Sequence, residues 1–355
     1  MKDNFFADQI LDWFKQHGRH DLPWQHPPTP YRVWVSEIML QQTQVKTVIP
    51  FYIKFINKFP TVNTLACAKI DDVLHLWTGL GYYARARHLH QSAQIIMDKY
   101  KGQFPEKLEQ LILLPGIGRS TAGAICALAY HQSTPILDGN VKRILCRYHR
   151  VNHWSGIKSV ENELWLKAEK HMPTHHAQNY TQAIMDLGAT VCTRKQPRCK
   201  ACPLHTRCEA HLHNEVAIYP HPKPRKTPPI KTIQFLALIN QSNECLLMKR
   251  PEKGIWGGLW SFIECEANEE AISYLSKKWK LNACLIKQFT VQRHTFTHYH
   301  LDYTLLVLSV LNYENQLADI NHEWYKLDHL PLIGTPSIVS HAWKKLNTII
   351  KEGVT

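Results

Sequence analysis

Residues 111–122 read Leu-Ile-Leu-Leu-Pro-Gly-Ile-Gly-Arg-Ser-Thr-Ala. Pro115-Gly116 closes one stretch of helical periodicity, 106–114, and another, 119–130, opens after Gly118. Two glycines in three residues permit a tight turn whose backbone N–H groups project outward, at the positive end of the following helix. Such a turn is an anion site made of main chain, able to position a phosphate without reading a base. A plain turn between two helices has the same look, so the surrounding sequence must separate the two.

Outward from this turn, helical periodicity recurs at 4–16, 36–56, 70–77, 84–100, 140–150, 159–171 and 177–189, with strand-like runs nearly absent. The texture changes at Pro220–Lys231, PHPKPRKTPPIK, which holds five prolines and four basic residues and reads as an extended linker. Beyond it come short β-type segments, Ile233–Ile239, Glu244–Lys249, Leu285–Val291 and Tyr299–Leu311, with helical stretches at Glu269–Lys278 and Ile338–Lys351. The expected architecture is multidomain: an all-α domain over 1–219, a linker over 220–231 and a smaller α+β domain over 232–352. The length of 355 residues suits two or three domains at about 150 residues each. No internal repeat is present.

With 44% hydrophobic and 20% charged residues the chain is not a disordered basic tail, yet 42 Lys and Arg outnumber 29 Asp and Glu. The excess is uneven, 26 against 17 in residues 1–220 and 16 against 12 afterwards. A polyanion is therefore expected on the first part. No apolar run approaches the roughly 20 residues that span a bilayer, and the acidic start MKDNFFADQILDWF does not read as a signal peptide. A soluble intracellular protein without a membrane partner is expected.

Four of the ten cysteines, Cys192, Cys199, Cys202 and Cys208, fall in seventeen residues as C-x6-C-x2-C-x5-C. A disulfide framework is disfavoured in a reducing compartment. Zinc sites usually pair their ligands in two close C-x2-4-C units, whereas only one tight pair exists here. A 4Fe–4S cluster accepts four thiolates in one compact loop, so an iron–sulfur cluster stands ahead of zinc, and both ahead of chance clustering. Arg194, Lys195, Arg198, Lys200 and Arg207 interleave with the cysteines, either to lie on phosphate or to offset thiolate charge.

Eighteen residues past Ser120 comes Pro135-Ile-Leu-Asp138-Gly139-Asn140. Alone, Asp138 reads as an N-cap. The ordered set of glycine turn, Asp138 and four-cysteine loop resembles the endonuclease III superfamily of base-excision DNA glycosylases, in which the turn is a helix-hairpin-helix. Leu22-Pro-Trp24, Val35-Ser-Glu37-Ile-Met-Leu-Gln41-Gln42-Thr43-Gln44-Val45, Leu76-Trp-Thr-Gly-Leu80-Gly-Tyr82-Tyr83-Ala-Arg85-Ala-Arg87 and Met185-Asp-Leu-Gly-Ala narrow it further. They resemble the branch that removes adenine mispaired with 8-oxoguanine, from about residue 5 to 350.

That resemblance implies a 4Fe–4S cluster on Cys192, Cys199, Cys202 and Cys208, and a partner that is double-stranded DNA with 8-oxoguanine·adenine or guanine·adenine mispairs. It implies that Glu37 protonates a purine ring nitrogen of adenine, which leaves poorly as an anion. A carboxyl group does this near neutral pH only if burial raises its pKa. Asp138, ionised, would stabilise the oxocarbenium-like sugar, with Asn140 orienting it or the attacking water. Where the lyase relatives carry a nucleophilic lysine, two residues after the second hairpin glycine, this chain has Ser120. A serine cannot form a Schiff base, so a monofunctional glycosylase is expected; the alternative is a bifunctional enzyme, with Lys142 as the one nearby lysine. For Lys142 a phosphate contact or an ion pair is preferred. Gly116, Gly118, Ser120 and Lys142 are expected on the DNA backbone, and Gln42, Thr43, Leu80 and Tyr82 at the gap left by the flipped base. A monomer of bacterial type is expected, cytoplasmic and associated with the nucleoid, passing its product to abasic-site repair enzymes.

In the second domain, Leu246-Leu-Met-Lys249-Arg250-Pro251 and Ile255-Trp256-Gly257-Gly258-Leu259-Trp260-Ser-Phe262 look like the opening of a Nudix fold. A rival function follows, metal-dependent hydrolysis of oxidised nucleotides. In the Nudix pattern counted from Gly258, Glu264 fits the first acidic position. Ile272 and Ser273 stand where Arg-Glu is needed, and Ser276 and Lys277 where a Glu pair is needed. Without those carboxylates Mg²⁺ has few oxygen ligands. A catalytically dead reader of 8-oxoguanine is expected instead, through Arg293-His294-Thr295-Phe296-Thr297-His298, where Thr297 replaces the serine of the family's loop. A third possibility, an iron–sulfur protein that only senses mismatches, is opposed by the joint presence of Glu37 and Asp138.

Overall fold

The computed structural model describes residues 4–224, 227–312 and 321–351. They form two compact units, Met1–Cys67 with His88–Arg225, and Ala68–Arg87 with Lys226–Thr355.

The first unit is helical: α1 (Phe5–His17), α2 (Pro30–Leu40), α3 (Val45–Lys58), α4 (Val62–Ala66), α6 (Ala84–Tyr100, whose first turn belongs to the other unit), α7 (Leu108–Ile112), α8 (Arg119–Tyr130), α9 (Gly139–Tyr148), α10 (Lys158–His171), α11 (Ala177–Thr190) and α12 (Glu209–Leu212). Phe6, Ile10 and Phe14 recur every four residues on α1 and are buried. Helix α2 starts where Thr29 Oγ1 accepts from the Arg32 N–H ahead of Pro30 at the first turn. It is buried nearly all round, through Tyr31, Val33, Trp34, Val35, Ile38 and Met39, and packs on α8. Helix α11 is equally enclosed and packs on α1, α8 and α9. A Cβ on Gly188 would come within 2.5 Å of Asn140 Cβ, so glycine is what lets α11 approach the start of α9.

The expected helix over 36–56 is two helices. The chain turns at Gln41–Gln44, with Gln42 at φ +57°. No Gly or Pro marks the break. The Gln41 amide reaches the Gly116 carbonyl and Thr121 Oγ1, each at 3.4 Å, so tertiary contact with the glycine turn overrides local helix propensity.

The second unit holds α5 (Ile70–Trp77), an eight-stranded mixed sheet, α13 (Ala271–Tyr274) running into a π-turn, and α14 (Ser337–Lys351). The main path of the sheet is β3 (Trp260–Ser261), β2 (Glu244–Lys249), β1 (Ile230–Ile239), β7 (His300–Asn312) and β5 (Asn282–Gln288). To this path β4 (Ile263–Glu266), β6 (Gln292–Thr295) and β8 (His322–Lys326) add on β1, β7 and β2. Strands β1 and β7 run parallel, with Ile230 opposite His300 and Ile239 opposite Ser309. Phe235, Ala237 and Ile239 pack toward Val339, Trp343 and Leu346 of α14, while Leu236 and Leu238 pack with Ala271 and Leu275 on the other face. Burial on both faces explains the unbroken apolar run of β1.

The short strands β3, β4, β6 and β8 and helix α4 carry too little periodicity to be read from sequence. The expected strand Leu285–Val291 lies at Asn282–Gln288. The expected domains were continuous in sequence, whereas residues 68–87 group with the second half of the chain. The physical reason is specific contact: Lys249 pairs with Asp71, and Arg87 donates to the Gly257 carbonyl.

Candidate active site

Asp138 is the N-cap of α9, its Oδ1 accepting from the Val141 N–H at 2.8 Å. The capping role takes one carboxylate oxygen and leaves the other for a second partner. Its Oδ2 accepts from the Asn140 amide at 3.0 Å. Asn140 Oδ1 in turn accepts from Arg143 at 2.8 Å, and Arg143 also donates to the carbonyls of Gly188 and Cys192 at 2.7 and 2.6 Å. The pair is thereby fixed in rotamer and direction.

Glu37 lies on the enclosed helix α2, half-buried, one residue from fully buried Ser36 and Ile38. Burial is the main cause that pushes its carboxyl up to about 8, and the nearby Asp138 charge adds to it. Burial also raises Asp138, but the Val141 N–H, the Asn140 amide and the Arg143 charge all act to lower it. Among the described residues no group donates a hydrogen bond to Glu37. Burial thus raises both carboxyls, and only Asp138 has donors and a cation that oppose the rise.

The glycine turn has the expected shape. Gly116 sits at φ +78° with its would-be Cβ 2.9 Å from His88 Cβ, and Gly118 caps α8 in extended conformation; both are exposed. Arg119 is directed elsewhere, 2.5 Å from Glu169 and over the Trp165 ring at 3.9 Å. Ser120 Oγ accepts from the Leu137 N–H at 3.0 Å and so ties the hairpin helix to the residue before Asp138. Lys142 is in an ion pair with Glu161 at 2.8 Å, which lowers the pKa of that carboxyl.

Gln42 is exposed and Thr43 half-buried in the turn between α2 and α3. In the second unit Leu80 is buried at 5% exposure, while Tyr82, at φ +52°, is 46% exposed. Thr297 and His298 are exposed at the tip between β6 and β7, with Thr297 Oγ1 and His298 Nδ1 3.5 Å apart. Phe296 stacks on Tyr299 beneath them, ring centroids 4.6 Å apart.

The four cysteines of 192–208 are all half-buried and line one small cavity with Arg147. Buried Arg147 donates to Cys192 Sγ at 3.3 Å and to the carbonyls of Thr193, Arg194 and Tyr219. Among the described residues no three Cys, His, Asp or Glu side chains come close enough to hold a single metal ion.

Sequence reading missed a second buried polar group. Arg19 pairs with fully buried Asp186 through its backbone N–H at 2.7 Å and its guanidinium at 2.5 Å, and the Gln182 amide donates to the same carboxylate at 2.8 Å. Gln182, Gln25, Trp24 and Val33, the last one turn before Glu37 on α2, line a cleft of about 620 Å³. The signal for Asp186 is that it is the one charged residue of α11, within Met185-Asp-Leu-Gly-Ala. In the second unit Glu264, the one acid fitting the Nudix pattern, is paired with Arg250.

Residues 35–170 match the model of the HhH-GPD superfamily of base excision DNA repair proteins, and residues 234–345 that of the NUDIX domain. The adenine DNA glycosylase of Buchnera aphidicola subsp. Acyrthosiphon pisum (strain APS) is 42% identical, covering 95% of this chain and 96% of that protein. The adenine DNA glycosylase of Homo sapiens is 33% identical, over 86% of this chain and 67% of that protein. Among solved structures, a thermostable thymine-DNA glycosylase superposes with a TM-score of 0.54 at 25% identity, over 59% of this chain and 95% of that one. No helix among the described residues is long and apolar enough to cross a membrane.

Proposed function

This chain belongs to the adenine DNA glycosylase family of base-excision repair, and from that premise we propose that it excises adenine opposite 8-oxoguanine, and opposite guanine, by monofunctional hydrolysis. The observation that carries the proposal is the contrast between the two carboxyls: Glu37 is raised to about 8 and has no donor among the described residues, while Asp138 has two directed donors. Glu37 delivers a proton to a ring nitrogen of the extruded adenine, N7 by family analogy. The glycosidic bond breaks toward the base, and Asp138 balances the positive charge left on the sugar. At about 4 Å and an effective dielectric of about 20 that charge pair is worth roughly 4 kcal/mol, or about three decades of rate. Water then bonds to the sugar C1′ and gives its proton to the Glu37 carboxylate, and the abasic site leaves intact for a downstream repair enzyme.

Several positions support the rest. Ser120 offers no amine and its hydroxyl is engaged by Leu137; the Lys142 ammonium is engaged by Glu161. The exposed Gly116–Gly118 turn suits a backbone phosphate. Gln42, Thr43, Leu80 and Tyr82 serve the gap and the opposite base, and Thr297 and His298 read 8-oxoguanine.

The donor set of Cys192, Cys199, Cys202 and Cys208 fits a 4Fe–4S cluster: four thiols of one compact loop share one cavity, beside the Arg147 guanidinium. When bound, the cluster would supply a cross-link that orders the 192–208 loop. The Arg250–Glu264 pair and the residues at 272, 273, 276 and 277 oppose Nudix hydrolysis.

The test is a duplex with one 8-oxoguanine·adenine pair. Adenine should be released, with strand scission appearing only after alkali; scission without alkali would overturn the monofunctional assignment.

A further inference from the structure

Helix α5 and the loop after it carry Leu80 and Tyr82, yet their partners within the compact unit come from the second half of the chain. Lys249 Nζ is 2.8 Å from Asp71 Oδ2, with the two side chains only 25% and 31% exposed. The Arg87 guanidinium donates to the Gly257 carbonyl at 2.5 Å, and the Tyr83 hydroxyl to the Thr335 carbonyl at 2.9 Å. His75 Nδ1 lies 3.4 Å from the Ile333 carbonyl oxygen. Backbone meets helix directly as well: a Cβ on Gly334 would stand 2.5 Å from Leu74 Cβ.

The surface that receives α5 is itself fixed. Arg250, paired with Glu264, donates through Nε to the Ile255 carbonyl at 3.1 Å, and the Gly258 N–H returns to the Arg250 and Pro251 carbonyls. The surviving Nudix-pattern glutamate thus holds the turn whose Gly257 carbonyl takes Arg87. On the other side, Arg85 donates to the Gly81 carbonyl at 3.0 Å and stands 5.4 Å from the Tyr82 ring, and Trp77 Nε1 donates to the same carbonyl at 3.1 Å. Tyr82 is held at positive φ, a conformation that persists only where its surroundings over-determine it.

We propose that the Nudix-like domain, besides reading the damaged base, is the seat that sets the Leu80–Tyr82 loop, and that Arg87, Lys249 and Gly334 are positioning residues for mispair recognition, acting through Tyr82. This rests on the reading above that Tyr82 meets the base opposite adenine. The domain then contributes to discrimination twice, directly at Thr297–His298 and indirectly through α5.

The test uses the full chain and the ratio of single-turnover adenine release from 8-oxoguanine·adenine and guanine·adenine duplexes. Arg87→Ala should lower that ratio about fivefold to tenfold, with Arg87→Lys recovering part of it, and should change it by less than about twofold in a Tyr82→Ala background. A ratio within about twofold of wild type in Arg87→Ala, at an unchanged melting temperature, overturns the proposal, as does an equal loss in both backgrounds. Should Arg87→Ala fail to fold, the exchange Asp71→Lys with Lys249→Asp decides: each single change should lower the ratio and the pair restore it, and single changes without effect overturn the seat. Wild-type protein that releases no adenine from either duplex would instead sink the underlying function.

Discussion

At the scale of single residues, Glu37 is held in a state that folding alone would not choose. Its carboxyl titrates near 8 in the fold against an ordinary value of 4.5. Both forms are protonated in strong acid, so the cost of burial is absent there. It grows as pH rises past 4.5 and the unfolded chain ionises, and is complete near 8. Glu37→Gln should therefore stabilise the protein by roughly 1–3 kcal/mol at pH 7 and leave its stability at pH 4 unchanged, read from thermal melts at both pH values. The same variant should abolish adenine release, and the wild-type rate should fall as pH rises through about 8 and Glu37 loses its proton. Asp138→Asn keeps a side chain able to cap α9 but removes the charge. It should bind mispaired duplex as wild type does and lose about three decades of turnover; full activity in this variant would remove Asp138 from the chemistry.

At the scale of elements, the site depends on two close approaches that only glycine permits. Gly188→Ala would press a methyl group on Asn140, whose amide orients Asp138. A rate loss of about tenfold with unchanged duplex affinity is expected, measured by single-turnover release beside equilibrium binding. Gly116→Ala meets both a positive φ and the His88 side chain, so it should cost about 1–2 kcal/mol of stability and, on the proposed phosphate contact, weaken all duplexes alike. These elements were legible to different degrees. The hairpin, the four cysteines and Asp138 carry punctuation that one sequence displays: glycines, a tight C-x2-C pair, a cap before a helix. The break at Gln41–Gln44 was not legible, since glutamines are good helix formers and the turn is held by contact with residues 116 and 121. The Arg19–Asp186 pair joins residues 167 apart, and no local pattern announces such a partner. The attachment of α5 to the second half of the chain escaped for the same reason. Its amphipathic face is evident, but Leu74 on that helix is met by Gly258 and Gly334, far along the chain.

At the scale of the whole molecule, the +13 charge and the few acidic groups of the site do different work. The excess of 26 basic over 17 acidic residues in 1–220 suits search along any duplex. Affinity for undamaged DNA should then fall steeply between about 50 and 200 mM salt, while the preference for 8-oxoguanine·adenine changes little. On the proposed mechanism, choice of the adenine rests on Glu37 and Asp138, and recognition of its partner on a second unit that includes residues 68–87. The central claim is that these two carboxyls remove adenine without a lyase step. It is tested most directly by incubating the protein with an 8-oxoguanine·adenine duplex under single-turnover conditions across pH 5 to about 10, with and without alkali before separating the strands. The account predicts free adenine, scission in the alkali-treated samples only, and a rate lost as pH rises through about 8. Scission without alkali, or a rate that holds above that pH, would contradict it.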